Sequence, residues 1–326
     1  MKKKILISTG GSGGHVVPAI NLYNHLKHEF DVQLYTDKRG AKYIPKEIKK
    51  IIFEVKKIPE KKYLFPLKII FLFFAFIKSI IHLRGKKFDI LVSTGGYMSL
   101  PIVLATKIFN KKIILFEPNS IIGRSNRILL RFAYQILCYD RDIIIGTNEK
   151  SLIPDYKKVV IDPILNNCFY SKQSTSEIED ETFKILIIGG SQASLFFSKY
   201  LKGEIIQLSK KYKIEVTQQL SSDFDIDSYK KEYDKNNIKN NLFFFEDNFL
   251  CKKNNFDIAI TRAGASSLAE LAYLNIPFIS IPFAYATDNH QFLNAKRYYD
   301  RNCCWILEEK NFNSGDIYEI INQIMV

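Results

Sequence analysis

Three glycine turns and a few polar residues beside them could carry chemistry in this chain. Gly10-Gly11-Ser12-Gly13-Gly14-His15 comes first, Thr94-Gly95-Gly96-Tyr97 second, and Gly189-Gly190-Ser191-Gln192 third. Glycine lets a ligand approach the backbone, and free N–H groups at a strand-to-helix turn attract anions. His15, directly after its glycines, can act as a base or a phosphate ligand; packing at a helix start is the alternative. A further turn of small residues, Arg262-Ala263-Gly264-Ala265-Ser266-Ser267, precedes Glu270. A carboxylate there, one turn into a helix, can grip two vicinal hydroxyls, as on a ribose. Ser267-x-x-Glu270 also reads as a capping box, which needs no ligand.

These turns need elements to hold them, and the hydrophobic pattern supplies strands and helices in alternation. Lys4–Ser8, Phe30–Tyr35, Phe88–Ser93 and Lys112–Phe116 read as strands, with a helix from Pro18 to His28 after the first turn. Phe183–Ile188 restarts the pattern, followed by strands at Lys213–Gln218, Asn241–Phe245, Phe256–Thr261 and Pro277–Pro282. Asp223–Asn240 reads as a charged, exposed segment, and Ser314–Met325 as a short amphipathic helix. Such alternation predicts α/β domains with doubly wound parallel sheets, whose ligands sit outside the carboxyl ends of the strands. The polar stretch after Asp162-Pro163 marks a connection, so the expected domains are 1–162 and 163–326, two similar sheets facing a cleft. The first turn is neither GxGxxG nor GxxxxGK[ST], which disfavours a dinucleotide fold and a P-loop NTPase.

The formal net charge of +13 implies an anionic partner: nucleic acid, a phosphorylated substrate or an anionic membrane surface. A nucleic-acid binder would need clustered Lys and Arg with exposed aromatics, or a known module, and neither is visible, so no nucleic acid is expected. Cys138, Cys168, Cys251, Cys303 and Cys304 show no CxxC spacing, so neither a disulfide framework nor a zinc site is expected, and a reducing cytoplasm fits. The apolar core after Lys2-Lys3-Lys4 is too short for a signal peptide and leads into glycines, which makes it a first strand. Tyr63–Arg84 is the most hydrophobic stretch, but its uninterrupted run, Ile69–Ile77, falls short of the ~18 residues that a spanning helix needs. It is either a buried helix or, as the flanking Lys68, Lys78, His82 and Arg84 favour, a helix touching a membrane interface.

Taken in order, the pieces resemble the MurG family of glycosyltransferases. They are Gly10–His15 with Pro18-Ala19, Gly95-Gly96-Tyr97, and Glu117-Pro118-Asn119 through Gly123 and Asn126. Gly189-Gly190-Ser191-Gln192, Arg262–Ala265 with Glu270, and Pro282 through Asp288, His290, Gln291, Asn294 and Ala295 complete the set. The resemblance implies a GT-B architecture, two Rossmann-like domains. It implies inverting transfer of N-acetylglucosamine (GlcNAc) from UDP-GlcNAc to the muramyl O4 of lipid I, with no cofactor and no essential metal. Another GT-B UDP-sugar transferase acting on a lipid acceptor is the alternative.

By the same resemblance, His15 is the leading base, with Glu117 second. Donor contacts are expected from Ser12, Gly13, Gly14 and Asn119, and from Ser191, Gln192, Glu246, Gly264, Ala265, Ser266, Ser267, Leu268, Ala269, Glu270, His290 and Gln291. Gly13, Gly14, Gly95, Gly96, Tyr97 and Asn126 would meet the acceptor, lipid I. The 63–84 region would seat the enzyme peripherally on an anionic surface, the cytoplasmic face of the bacterial inner membrane. This sequence departs from the family pattern at Phe116 and Pro118, where His and Gln are usual. It departs again at Leu165, where an arginine is expected, and at Ala193-Ser194 in place of Gly-Ala. The C-terminus is also short for the family.

Overall fold

The computed structural model of the chain describes residues 2–55, 65–146, 149–170, 182–190, 194–244, 246, 248–252 and 255–325. It divides into two compact units, Met1–Asn167 and Cys168–Val326.

The first unit runs β1 (Lys4–Ser8), α1 (Gly13–Leu26), β2 (Asp31–Thr36), β3 (Lys50–Ile52), α2 (Phe65–Leu83), β4 (Ile90–Ser93), α3 (Ser99–Ile108), β5 (Lys112–Glu117), α4 (Arg124–Leu129) and β6 (Gln135–Cys138). A small antiparallel hairpin, β7 (Ile144–Gly146) and β8 (Glu149–Leu152), precedes β9 (Lys158–Val160). The parallel sheet has the order β3-β2-β1-β4-β5-β6-β9. Its central strands carry near-continuous apolar runs because helices cover both faces. Ile5, Ile7, Val92 and Phe116 face one layer of core, with Val16 and Ile20 of α1; Leu6, Leu91 and Leu115 face the other. The order reverses between β1 and β4, so the turns after Ser8 and Ser93 open side by side at the carboxyl edge.

Helix α2 has two apolar faces. Leu72, Ala75, Phe76 and Ile80 pack on the core, while Ile69, Ile70, Phe73, Phe74 and Ile81 are exposed. The buried-helix alternative therefore does not hold. Among the described residues no helix is long and apolar enough to cross a membrane.

The second unit runs β10 (Phe183–Ile188), α5 (Leu195–Ser209), β11 (Ile214–Gln219), α6 (Ile226–Lys235), β12 (Lys239–Phe243), α7 (Phe249–Lys252), β13 (Ile258–Thr261), α8 (Ala265–Tyr273), β14 (Phe278–Ser280), α9 (His290–Tyr299), β15 (Cys304–Ile306) and α10 (Asp316–Met325). Its parallel sheet has the order β12-β11-β10-β13-β14-β15, reversing between β10 and β13.

Three features differ from the sequence-based expectations. The segment after Asp223 is not simply exposed: Asp225 caps α6, and Tyr229 and Tyr233 on one face of that helix are buried against Gln218. Cys168 and Cys251 are joined in a disulfide, with Cα atoms 5.8 Å apart. Spacing motifs report only local pairs, and these two are separated by 83 positions. Finally, Ile164 and Leu165 belong with the first unit: their carbonyls meet Asn21 Nδ2 and His25 Nε2 of α1, each at 3.0 Å.

Candidate active site

In the first unit the site is built where β1 and β4 end. His15 lies in the first turn of α1, and its Nδ1 is 2.9 Å from the Thr94 carbonyl oxygen. A carbonyl only accepts, so Nδ1 carries the proton and Nε2 is the basic nitrogen of the neutral ring. The hydroxyls of Thr9 and Thr94 both donate to the His15 carbonyl at 3.0 Å, which pins the helix start to the ends of both strands. Ser12 is the N-cap residue but makes no side-chain cap, so it leaves the amides of Gly13 and Gly14 without an intrahelical partner. These N–H groups, at the positive end of the helix, suit an anion.

The glycines of the second turn are required by contact as well as conformation. Gly96 has φ +87°, and a Cβ there would lie 2.4 Å from the Gly10 carbonyl oxygen. At Gly95, φ +93°, a Cβ would lie 3.0 Å from His15 Nδ1 and 3.5 Å from Asn126 Nδ2, so His15 and Asn126 flank this turn together. Tyr97 is half-buried beside them, and burial pushes its phenol pKa up. The sequence reading missed Asp37, buried at the end of β2, whose Oδ1 accepts from Gly11 N–H at 3.0 Å and Gly40 N–H at 2.7 Å. An acidic residue soon after a second strand was the available signal.

Glu117 is fully buried at the end of β5. Its Oε1 accepts from Asn119 Nδ2 at 2.7 Å; its Oε2 accepts from Gly123 N–H at 2.8 Å and Asn126 Nδ2 at 3.1 Å. Every partner is a donor, so the carboxylate organises the 117–126 turn. Asn126, itself buried, keeps an Oδ1 with no hydrogen-bond partner. Phe116 points the other way, into the core against the Tyr139 ring at 5.6 Å. A histidine there would have to be accommodated in apolar packing.

In the second unit the N-cap residue of α8 is Gly264, and no side chain caps it. Ser267 therefore lies inside the first turn, and the capping box does not form. The amides of Ala265, Ser266 and Ser267 stand without intrahelical partners at the end of β13. Glu270 follows one turn on, partly buried, and its carboxylate makes no hydrogen bond or ion pair among the described residues. Desolvation raises its pKa to about 7. An unpaired carboxylate above a row of free amides can hold ribose hydroxyls while the amides meet phosphate.

Helix α9 closes the far side. Asn294 Nδ2 donates to the Ala263 carbonyl at 3.1 Å, and Gln291 Oε1 accepts from Phe283 N–H at 2.8 Å. His290 Nδ1 lies 2.8 Å from the Thr287 carbonyl. Arg262 is buried beneath these loops, donating to Ser194 Oγ, the Ile281 carbonyl and Glu309 at 2.8–2.9 Å. It thereby ties the loops after β10, β14 and β15. The pairing of Arg262 with Ser194 and Glu309 was not foreseen from sequence, since nothing local marks a partner so distant.

Several expected contacts stand apart. Ser191 and Gln192 lie outside the described residues. Glu246 is exposed and paired with Lys252 Nζ at 2.7 Å. Leu268 and Ala269 are buried, and the Leu268 amide is spent on the Gly264 carbonyl.

Comparison with known proteins identifies the family. Residues 5–138 match the glycosyltransferase family 28 N-terminal domain, and residues 184–325 match the family 28 C-terminal domain. The chain is 44% identical over 99% of its length, and 90% of the relative's, to the UDP-N-acetylglucosamine--N-acetylmuramyl-(pentapeptide) pyrophosphoryl-undecaprenol N-acetylglucosamine transferase of Pelagibacter ubique. It is 32% identical over 98% of its length, and 90% of the relative's, to the Rickettsia felis protein of the same name. Its fold is similar to crystalline MurG from Acinetobacter baumannii, with TM-score 0.78 and 18% identity, covering 100% of this chain and 91% of that one. The two Rossmann-like sheets are the GT-B architecture, and the chain belongs to the MurG family of family 28 glycosyltransferases.

Proposed function

We propose that the chain transfers GlcNAc from UDP-GlcNAc to the muramyl O4 hydroxyl of lipid I, an undecaprenyl-pyrophosphoryl-N-acetylmuramyl-pentapeptide, giving lipid II for peptidoglycan. The observation that carries this is the 44% identity, sustained across 99% of the chain, to a transferase of that name. The chemistry is a displacement at C1 of the donor sugar. The acceptor O4 gives its proton to His15 Nε2 as it forms the new C1–O bond, the bond from C1 to the β-phosphate oxygen breaks, and UDP departs with inversion. His15 suits this role because the Thr94 contact leaves Nε2 as the basic atom.

The departing diphosphate meets the free first-turn amides of α8, whose dipole favours its charge. Glu270 receives the ribose hydroxyls, and Gln291 and His290 lie toward the sugar. Gly13, Gly14 and the Gly95-Gly96 turn serve the acceptor diphosphate. Asn126 stands ready with an unpartnered Oδ1. Glu117 supports the reaction by shaping the 117–126 turn rather than by taking the proton. The exposed aromatic face of α2 rests on an anionic membrane surface, making the enzyme a peripheral protein of the cytoplasmic face.

The test is transfer of labelled GlcNAc from UDP-GlcNAc to a soluble lipid I analogue with EDTA present. Labelled disaccharide product is expected. Tight donor binding without product would indicate a different acceptor, and neither from folded protein would overturn the reading.

A further inference from the structure

Strand β11 ends in Gln219, a buried side chain with no place in the mechanism above. Its carboxamide makes three hydrogen bonds. Oε1 accepts from Gly189 N–H at 3.0 Å, while Nε2 donates to the Gly190 carbonyl at 3.1 Å and the Phe244 carbonyl at 3.0 Å. The partners settle which way the amide faces, since the reverse would set NH₂ against an N–H and oxygen against two carbonyls. Gly189 and Gly190 open the turn between β10 and α5, and Gly190 has φ +80°. Phe244 begins the loop after β12 that carries Glu246. Backbone pairing of β11 with β12 ends at this point, with Leu220 N–H on the Phe243 carbonyl. One side chain thus continues the tie between neighbouring strands after the ladder has stopped.

We infer that Gln219 is a positioning residue for the nucleotide sugar, setting the spacing between the glycine turn after β10 and the loop after β12. This rests on the donor role proposed for the second unit. An exposed carbonyl oxygen repels a phosphate; Gln219 engages the Gly190 oxygen and so holds the turn with its oxygen occupied. The amide is the group suited to this, because one partner donates and two accept. A carboxylate of the same shape would keep the Gly189 contact and set a charge against two carbonyls.

The test compares wild type with Gln219→Met, which keeps length and loses all three bonds, and Gln219→Glu, which keeps one. Kinetics are run with the soluble acceptor, and UDP-GlcNAc binding is measured by calorimetry. We expect the donor KM and Kd to rise about tenfold in Gln219→Met and further in Gln219→Glu, with kcat at saturating donor and the acceptor KM within about twofold. Unchanged donor KM in both folded variants overturns the inference, as does an equal loss for donor and acceptor, which would mark a general structural role. Wild type that fails to bind UDP-GlcNAc overturns the donor reading itself, a result separable from any effect of the variants. If neither variant folds, amide exchange at Gly189 in wild type decides. Protection already present without nucleotide supports a preset turn, and protection appearing only with UDP overturns it.

Discussion

His15 Nδ1 lies 2.9 Å from the carbonyl oxygen of Thr94, joining the first turn of α1 to the end of the neighbouring strand β4. This contact selects the tautomer that a base needs and holds the ring beside the Gly95 turn. Replacing His15 with Ala is expected to lower kcat by about 10²–10⁴-fold, the usual worth of a positioned base. The donor KM should stay close to wild type, because the donor contacts proposed above come from α8 and α9. Steady-state kinetics with separately varied donor and acceptor check this, and undiminished kcat would remove His15 from the role.

Glu117 gives a prediction of the opposite kind. All its hydrogen-bond partners donate, so Glu117→Gln would turn an NH₂ group toward an N–H in a buried site. The expected cost is roughly 1–3 kcal/mol of stability, seen as a lower Tm together with reduced activity. A variant with unchanged Tm and abolished turnover would instead make Glu117 the base.

The pKa of Glu270, raised by desolvation to about 7, has two consequences for pH dependence. The folded state holds this proton more tightly than the unfolded chain does. The stability linked to it is therefore fully present below the ordinary carboxyl range and is lost as pH rises through about 7. Glu270→Gln removes that loss, so the variant should gain Tm relative to wild type at alkaline pH more than at acidic pH. Thermal melts across this range decide it.

Ribose hydroxyls donate more strongly to a carboxylate than to a neutral acid. Wild-type affinity for UDP-GlcNAc should therefore increase as pH rises through about 7, and Glu270→Gln should bind more weakly with that dependence flattened. Calorimetry over the same range measures it. A dependence that persists in the variant would place the titrating group elsewhere.

Phe73 and Phe74 stand out from α2 at 58% and 63% exposure, while Phe76 packs inward. Changing both outer rings to Ser should leave Tm nearly unchanged, because little packing is lost. Partition onto vesicles containing anionic lipid should fall several-fold, since each ring contributes apolar burial at the interface. Activity on a soluble acceptor should be spared. Sedimentation with vesicles gives the answer, and equal binding by the variant would free α2 from this role.

Much of the architecture was legible before any coordinates. Strands such as Lys4–Ser8 and Phe183–Ile188 are apolar on both faces, a pattern suited to parallel sheets covered by helices. Glycines at 95 and 96 and the small residues after Arg262 marked the carboxyl edges, because positive φ and close backbone approach restrict the residue type locally. Family membership followed from the order of such pieces along the chain.

What the sequence left open were the partners of polar side chains. Ser267-x-x-Glu270 reads equally as a capping box and as an open ribose site, and the helix start at Ala265 removes the capping box. Glu117 matched a catalytic position, and only the folded chain shows that all its hydrogen-bond partners donate. Tyr229 and Tyr233 hid inside a charged segment, and Cys168 met Cys251 across 83 positions. Local spacing encodes backbone conformation and the apolar face of each element. Desolvation, hydrogen-bond partners and the pKa of Glu270 come from atoms distant in the chain, so only the tertiary structure decided them.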